Sequence, residues 1–133
     1  MALDRAQANS ILSYLHKATG SAAPRTLTGP LNVRLMASMG ADSATNGTPI
    51  SGVYGSTGVA VGSWTNTPTA QRDDAGAVSF TSMPAVTVAG IEIWSSDAVP
   101  VRTEYGVLTG GSKTTAAGDT LSFASGAISS ALA

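Results

Sequence analysis

The sequence predicts a mainly β protein: an antiparallel β-sandwich or barrel of six to eight short strands, preceded by one N-terminal helix. Three observations predict it. Apolar residues alternate with polar ones in several short runs after residue 30, the period of a half-buried strand. Gly, Pro and Asn-Gly turn signals separate those runs at intervals of roughly ten residues, the spacing of an all-β domain. A helical period appears once, near the start.

That helical segment fills residues 1–19. Asp4 is placed as its N-cap. Ala8, Ile11, Leu12 and Leu15 follow the i, i+3, i+4, i+7 spacing and form one apolar stripe. Lys17 suits the negative end of the helix dipole, and Gly20 stops the helix. The stripe is narrow, so it must lie on its own β domain or on a neighbour; residues 1–19 are a candidate docking arm. Residues 20–133 form a single β domain. Pro24 and Gly29-Pro30 mark the connector into it. Leu31, Val33 and Leu35 alternate with Asn32 and Arg34 as a first strand. Residues 40–58 are rich in Gly, Ser, Thr and Asn and read as a long loop. Val59 and Val61 lead to Trp64, and a polar stretch runs from Thr65 to Gly76. Val78 and Phe80 open another strand. Val86 and Val88 keep one phase while Ile91 and Ile93 take the other, so Gly90 between them reads as a bulge. Val99, Val101, Thr103, Tyr105 and Val107 face one way, with Arg102 and Glu104 opposite. Gly110-Gly111 is a turn, and 120–123 and 127–132 are the last strands.

Composition narrows the function. The chain has 133 residues, enough for one domain. Only 11% of them are charged and the net charge is −1, against about 25% charged in an ordinary soluble domain. The polar surface is therefore made of Ser, Thr, Gly, Asn and backbone. Such a surface loses little when a neighbour covers it, because no ion has to leave water. Arg5, Arg25, Arg34, Arg72 and Arg102 are scattered, so the concentrated basic stripe of a nucleic-acid binder is missing. No apolar run approaches the roughly 18 residues of a membrane span, and the first residues lack the continuous apolar region of a secretory signal. With no cysteine, disulfides and thiolate metal sites are excluded.

A search for chemistry finds no catalytic, metal or cofactor set. His16 is the one histidine, and a triad needs it beside a Ser and an Asp without any nucleophile-elbow motif to support one. Asp73-Asp74 lack the spacing of a calcium loop and read as a solvated loop. Glu92 and Glu104 have the chemistry of a glycosidase pair, but Arg34 and Arg102 are placed to neutralise them as ion pairs. Gly52, Gly55 and Gly58 lack the strand–helix setting of a dinucleotide fingerprint and read as a flexible loop. Trp94 ends a core-like strand. Tyr54 and Trp64 flank polar loops and, with Ile11, Leu12 and Leu15, are the candidate interface residues.

The layout as a whole carries a resemblance. The helix "ALDRAQANSILSYL" is followed by "LNVRLMAS", a Gly-rich "ISGVYG", then "AGAVSFTSMPAVTVAGIEIWSSD" and "YGVLTGGSKTTAAGDTLSFASGAISSAL". Together these resemble small virion proteins of tailed bacteriophages of actinobacteria, labelled tail-fibre, minor tail or capsid decoration proteins. Gly90 to Asp97 and Lys113 to Phe123 match the two signatures of that family, and Ala117-Gly118-Asp119-Thr120-Leu121 is the most specific part. Residues 40–76 depart most from the pattern. The matching motifs set turns and carry no chemistry.

The expectation is thus a non-enzymatic structural protein of the virion. The resemblance implies a virion component, and low charge with many Thr and Ser residues makes a capsid decoration protein the leading reading, with the major capsid protein and copies of itself as partners and no nucleic acid, membrane or cofactor. A minor tail or tail-fibre component contacting the host is the alternative, and a small carbohydrate-binding domain a second one.

Overall fold

The structure, a computed structural model, describes residues 2–5, 8–9, 11–12, 27, 29–40, 47–50, 58–66 and 71–131. Among them are thirteen strands: β1 (Ala2–Leu3), β2 (Leu31–Ser38), β3 (Thr48–Pro49), β4 (Val59–Val61), β5 (Trp64–Asn66), β6 (Gln71–Asp74), β7 (Val78–Met83), β8 (Val86–Val88), β9 (Gly90–Ser95), β10 (Arg102–Val107), β11 (Lys113–Thr115), β12 (Asp119–Phe123) and β13 (Ser129–Ala131). The protein is mainly β, and every strand pairing is antiparallel. The strands are more numerous than six to eight because long runs are cut where the chain changes sheet. Two-residue strands such as β1 and β3 also carry no period to read.

The start of the chain differs from expectation. Ala2 and Leu3 pair with Tyr105 and Glu104 as an edge strand, so helical backbone begins only after Asp4. Arg5, Ala8, Asn9, Ile11 and Leu12 are helical, and the Ala8 amide donates to the Asp4 carbonyl at 3.0 Å. The rest of the stretch 1–19 lies outside the described residues, Leu15 and His16 included.

The largest sheet runs β1-β10-β9-β2-β3, with β4 also paired to β2. Beside it lie two hairpin-like ribbons, β7-β12 and β8-β11, and a three-stranded sheet β13-β6-β5. Because side chains alternate across a sheet, the register sorts β2 and β9 into two faces. Val33 opposite Ile93 and Leu35 opposite Ile91 form one face; Asn32 opposite Trp94 and Arg34 opposite Glu92 form the other. The first face joins Val61, Val78, Phe80, Met83, Val88 and Ile128 in a single core cluster shared by all the sheets. Phe80, 1% exposed, meets Phe123 edge to face at 6.3 Å between ring centroids. Burial of one such side chain stabilises the fold by roughly 1.5–3 kcal/mol.

Two bulges adjust the faces. In β7 two residues, Thr81 and Ser82, oppose the single Thr120 between the pairs Phe80–Leu121 and Met83–Asp119. Ser82 takes φ +54°, and the extra residue returns Met83 to the core after two exposed positions. In β10 the extra residue falls between the pairs Arg102–Trp94 and Glu104–Ile93. It leaves Arg102, Thr103 and Glu104 all buried, which simple alternation forbids. Gly90 is not a bulge: its pairs with Val107 and Met36 are in register. The phase change arises because β8 and β9 belong to different sheets and the chain crosses between them at Ala89, whose amide donates to Met36 O at 2.8 Å. A Cβ on Gly90 would lie 2.5 Å from Gly106 O and 2.4 Å from Met39 Sδ, so glycine is needed there for close approach. Gly58 likewise has φ +83° and no room beside Val33 O; it shapes the entry to β4 rather than loosening a loop.

Candidate functional site

The face of the large sheet turned away from the core carries a buried ionic cluster. Arg102 is its centre. Its Nε and Nη2 donate to Asp4 Oδ2 at 3.2 and 3.0 Å, and its Nη1 donates to Glu92 Oε1 at 3.0 Å. The three side chains are 4%, 9% and 1% exposed. Glu92 is saturated by further donors: the Gly47 amide reaches Oε1 at 3.1 Å and Trp94 Nε1 reaches Oε2 at 2.9 Å. The Arg102 guanidinium also lies 4.8 Å from the Tyr105 ring centroid, and Arg34 lies 4.2 Å over Trp94, positions that add cation–π attraction. Burial acts to lower the Arg102 pKa, and the hydrogen bonds and charges of Glu92 and Asp4 outweigh it, so the net shift is upward. At Arg34 burial prevails over the Glu92 charge and the shift is downward. Arginine stays charged either way. The cluster holds residues 98 positions apart and fastens the N-terminal segment to the sheet.

The second carboxylate of the expected pair is elsewhere. Glu104 is opposite Ile93, so it points to the core side while Glu92 points away from it. The sheet separates the two, which removes the facing geometry a glycosidase needs. Burial raises the Glu104 pKa, partly offset by a hydrogen bond from Ser130, and Glu104 Oε2 is buried without a hydrogen-bond partner.

Asp73 and Asp74 are not a solvated loop. They lie on β6, paired with Ser129 and Trp64 among others. Asp74 is 2% exposed; its Oδ1 accepts from the Ile128 amide at 2.8 Å, and its carbonyl accepts from Gly126 N and Ser125 Oγ. It shapes the turn before β13. Among the described residues no three His, Asp or Glu side chains are grouped to hold a metal ion.

The two ribbons present the opposite chemistry. Residues 75–88 contain no charged side chain, and residues 113–131 contain Lys113, exposed at the start of β11, and Asp119, whose Oδ2 accepts from Ala116 N at 2.8 Å. Exposed hydroxyls pair across the strands: Ser79 with Ser122 at 2.8 Å, and Thr87 with Thr114 at 3.1 Å. Thr81, Ser82 and Thr120 are exposed beside them. Between the ribbons and the large sheet is an open cleft of about 350 Å³ lined by Ile91, Val107, Leu108, Lys113, Leu121 and Phe123 among others. Its polar lining is hydroxyls and one amine, without the carboxylates or amides that orient a sugar.

Three of the sequence-derived interface residues, Ile11, Leu12 and Trp64, are among the described residues. Leu12 is 52% exposed and Ile11 half-buried. Trp64 is half-buried against the core cluster, with its Nε1 lacking a hydrogen-bond partner. Leu15 and Tyr54 lie outside the described residues. Sequence reading missed the Asp4–Arg102 pair, whose partners are 98 positions apart and share no local pattern. No protein-family model matches the chain, and no curated protein matches it significantly.

Proposed function

We propose that the chain is a non-enzymatic structural protein of a tailed-bacteriophage virion: a decoration protein on the outer capsid lattice that cements neighbouring capsomers. The observation that carries this reading is the row of exposed, cross-paired hydroxyls on the β7-β12 and β8-β11 ribbons, where β7 and β8 carry no charge and Lys113 and Asp119 are the charges of the partner strands. A surface of this kind is covered by a neighbour at little desolvation cost. The titratable groups support the same reading. Asp4, Arg102, Glu92 and Asp74 are tied into pairs and turns that hold the fold. The virion resemblance in Gly90 to Asp97 and Lys113 to Phe123 adds the particle type. The partners are the major capsid protein and further copies of this chain, and no cofactor takes part.

The test is the copy number in purified particles, by quantitative mass spectrometry against the major capsid protein. A lattice protein follows the capsid symmetry and is expected on the order of hundreds of copies. A few copies, or a few tens, would place the chain on the tail and overturn the assignment.

A further inference from the structure

We infer that Arg102 and the outer edge of β10 form a socket for the segment Ala2-Leu3-Asp4 of a second copy of this chain, so that neighbouring copies are linked by exchanged arms. The socket is built independently of the arm. Arg102 is braced by Glu92 on Nη1 and by the Tyr105 ring, and its Nε and Nη2 form the fork that holds the Asp4 carboxylate. The adjacent edge of β10 offers backbone pairing. Ala2 and Leu3 are in register with Tyr105 and Glu104, and the Asp4 amide donates to Thr103 O at 2.9 Å. An extended strand that ends in a carboxylate is what this arrangement recognises: edge pairing supplies attraction and the fork supplies selectivity.

The chain's own arm fills the socket, and the length of the connection also allows a neighbour's arm to reach it. Residues 5–30 separate Asp4 from β2. These 26 residues span about 40 Å if helical and about 85 Å if extended. A domain of 133 residues has a radius of gyration of about 14 Å, so the connector is long enough to reach an adjacent copy. The arm includes the two-residue strand β1 and the Asp4 carboxylate, an element that identical chains exchange without new contacts. Where copies stand side by side, the local concentration of a neighbour's socket approaches that of the chain's own, and exchange competes with self-docking.

The experiment uses the absence of native cysteine. A chain carrying Leu3→Cys is mixed with a chain carrying Glu104→Cys, concentrated to the millimolar range and oxidised slowly. Intact mass is then read without reductant. Exchange predicts a disulfide-linked heterodimer whose yield falls about tenfold when Asp4→Ala is added to the Leu3→Cys chain, because the charge-assisted bonds are lost. The doubly substituted single chain, Leu3→Cys with Glu104→Cys, reports whether the arm sits beside β10 at all. An internal disulfide in that chain together with no heterodimer in the mixture overturns the exchange. So does a heterodimer indifferent to Asp4→Ala, and so does failure of the double variant to close internally. None of these outcomes bears on copy number in the particle, so the inference and the proposed function fail separately.

Discussion

The large sheet and the two ribbons distribute charge in opposite ways. On the sheet face away from the core, Asp4, Glu92 and Arg102 are buried and satisfy one another. On the ribbons, Ser79, Thr87, Thr114 and Ser122 are exposed hydroxyls, and the charges are Lys113 and Asp119, each at the start of its strand. Ordinary soluble domains place ions outside and keep the interior apolar. Here the ions fix the chain internally, and the outer ribbon surface is one that association does not penalise. The difference teaches where each kind of substitution acts: changes in the sheet cluster should read out in folding, and changes on the ribbons in association.

The largest expected effect is at Arg102. Arg102→Met leaves Asp4 and Glu92 buried without their cation, and breaking a buried pair this way costs about 3–5 kcal/mol. The thermal midpoint should fall by about 10 °C or more, measured by circular dichroism. Adding Glu92→Gln should restore part of the loss, because the neutral amide still accepts from Trp94 Nε1 and no longer carries an uncompensated charge. If Arg102→Met alone leaves the midpoint unchanged, the cluster is not what fastens the N-terminal segment.

A smaller effect, of opposite sign, is expected at Glu104. Its folded pKa is raised from 4.5 by burial. Below pH 4.5 the carboxyl is protonated in both states and imposes nothing. Above it the unfolded chain ionises first while the folded protein retains its proton, so stability falls as pH rises, until the folded carboxyl also ionises. Glu104→Gln removes this slope. The variant should equal the parent near about pH 4 and exceed it near about pH 7 in denaturant midpoints. A parent that outlasts the variant at neutral pH would show that the ionised carboxylate is stabilised by contacts stronger than its desolvation.

Much of this architecture is legible in the sequence, and the limits have physical causes. The runs Leu31–Leu35, Val78–Phe80 and Ile91–Ile93 announce their strands because apolar residues alternate with polar ones; Ser79 is exposed, while Asn32, Arg34 and Glu92 lie on the covered sheet face away from the core. β10 defeats the same reasoning. Its bulge between Arg102 and Glu104 buries three consecutive residues, and a register shift leaves no mark in hydropathy. Gly90 signals a real constraint, but glycine is required equally by a bulge and by the close approach of Gly106 O. Asp73-Asp74 look like loop residues because carboxylates favour turns; the Ile128 amide that Asp74 accepts is 54 residues away and invisible locally. The Asp4–Arg102 pair is hidden for the same reason at greater separation. The ribbon surface, in contrast, is readable from composition alone.

The smallest effect on folding should come from the ribbons, and there the comparison is sharpest. Thr87 and Thr114 share an exposed hydroxyl contact of 3.1 Å; a cross-strand pair of this kind contributes roughly 0.2–1 kcal/mol. Thr87→Lys removes it and adds a charge among the hydroxyls. The side chain is exposed in the isolated chain, so the denaturant midpoint should move by no more than about 1 kcal/mol equivalent. Attachment should respond differently, since covering this surface would strip water from an ammonium without a partner. Copies per particle, counted after assembly with the variant, should drop several-fold while Thr87→Ser stays close to the parent. If Thr87→Lys assembles at parental copy number, the ribbons face solvent in the particle, and their low charge must have a cause other than a neighbour.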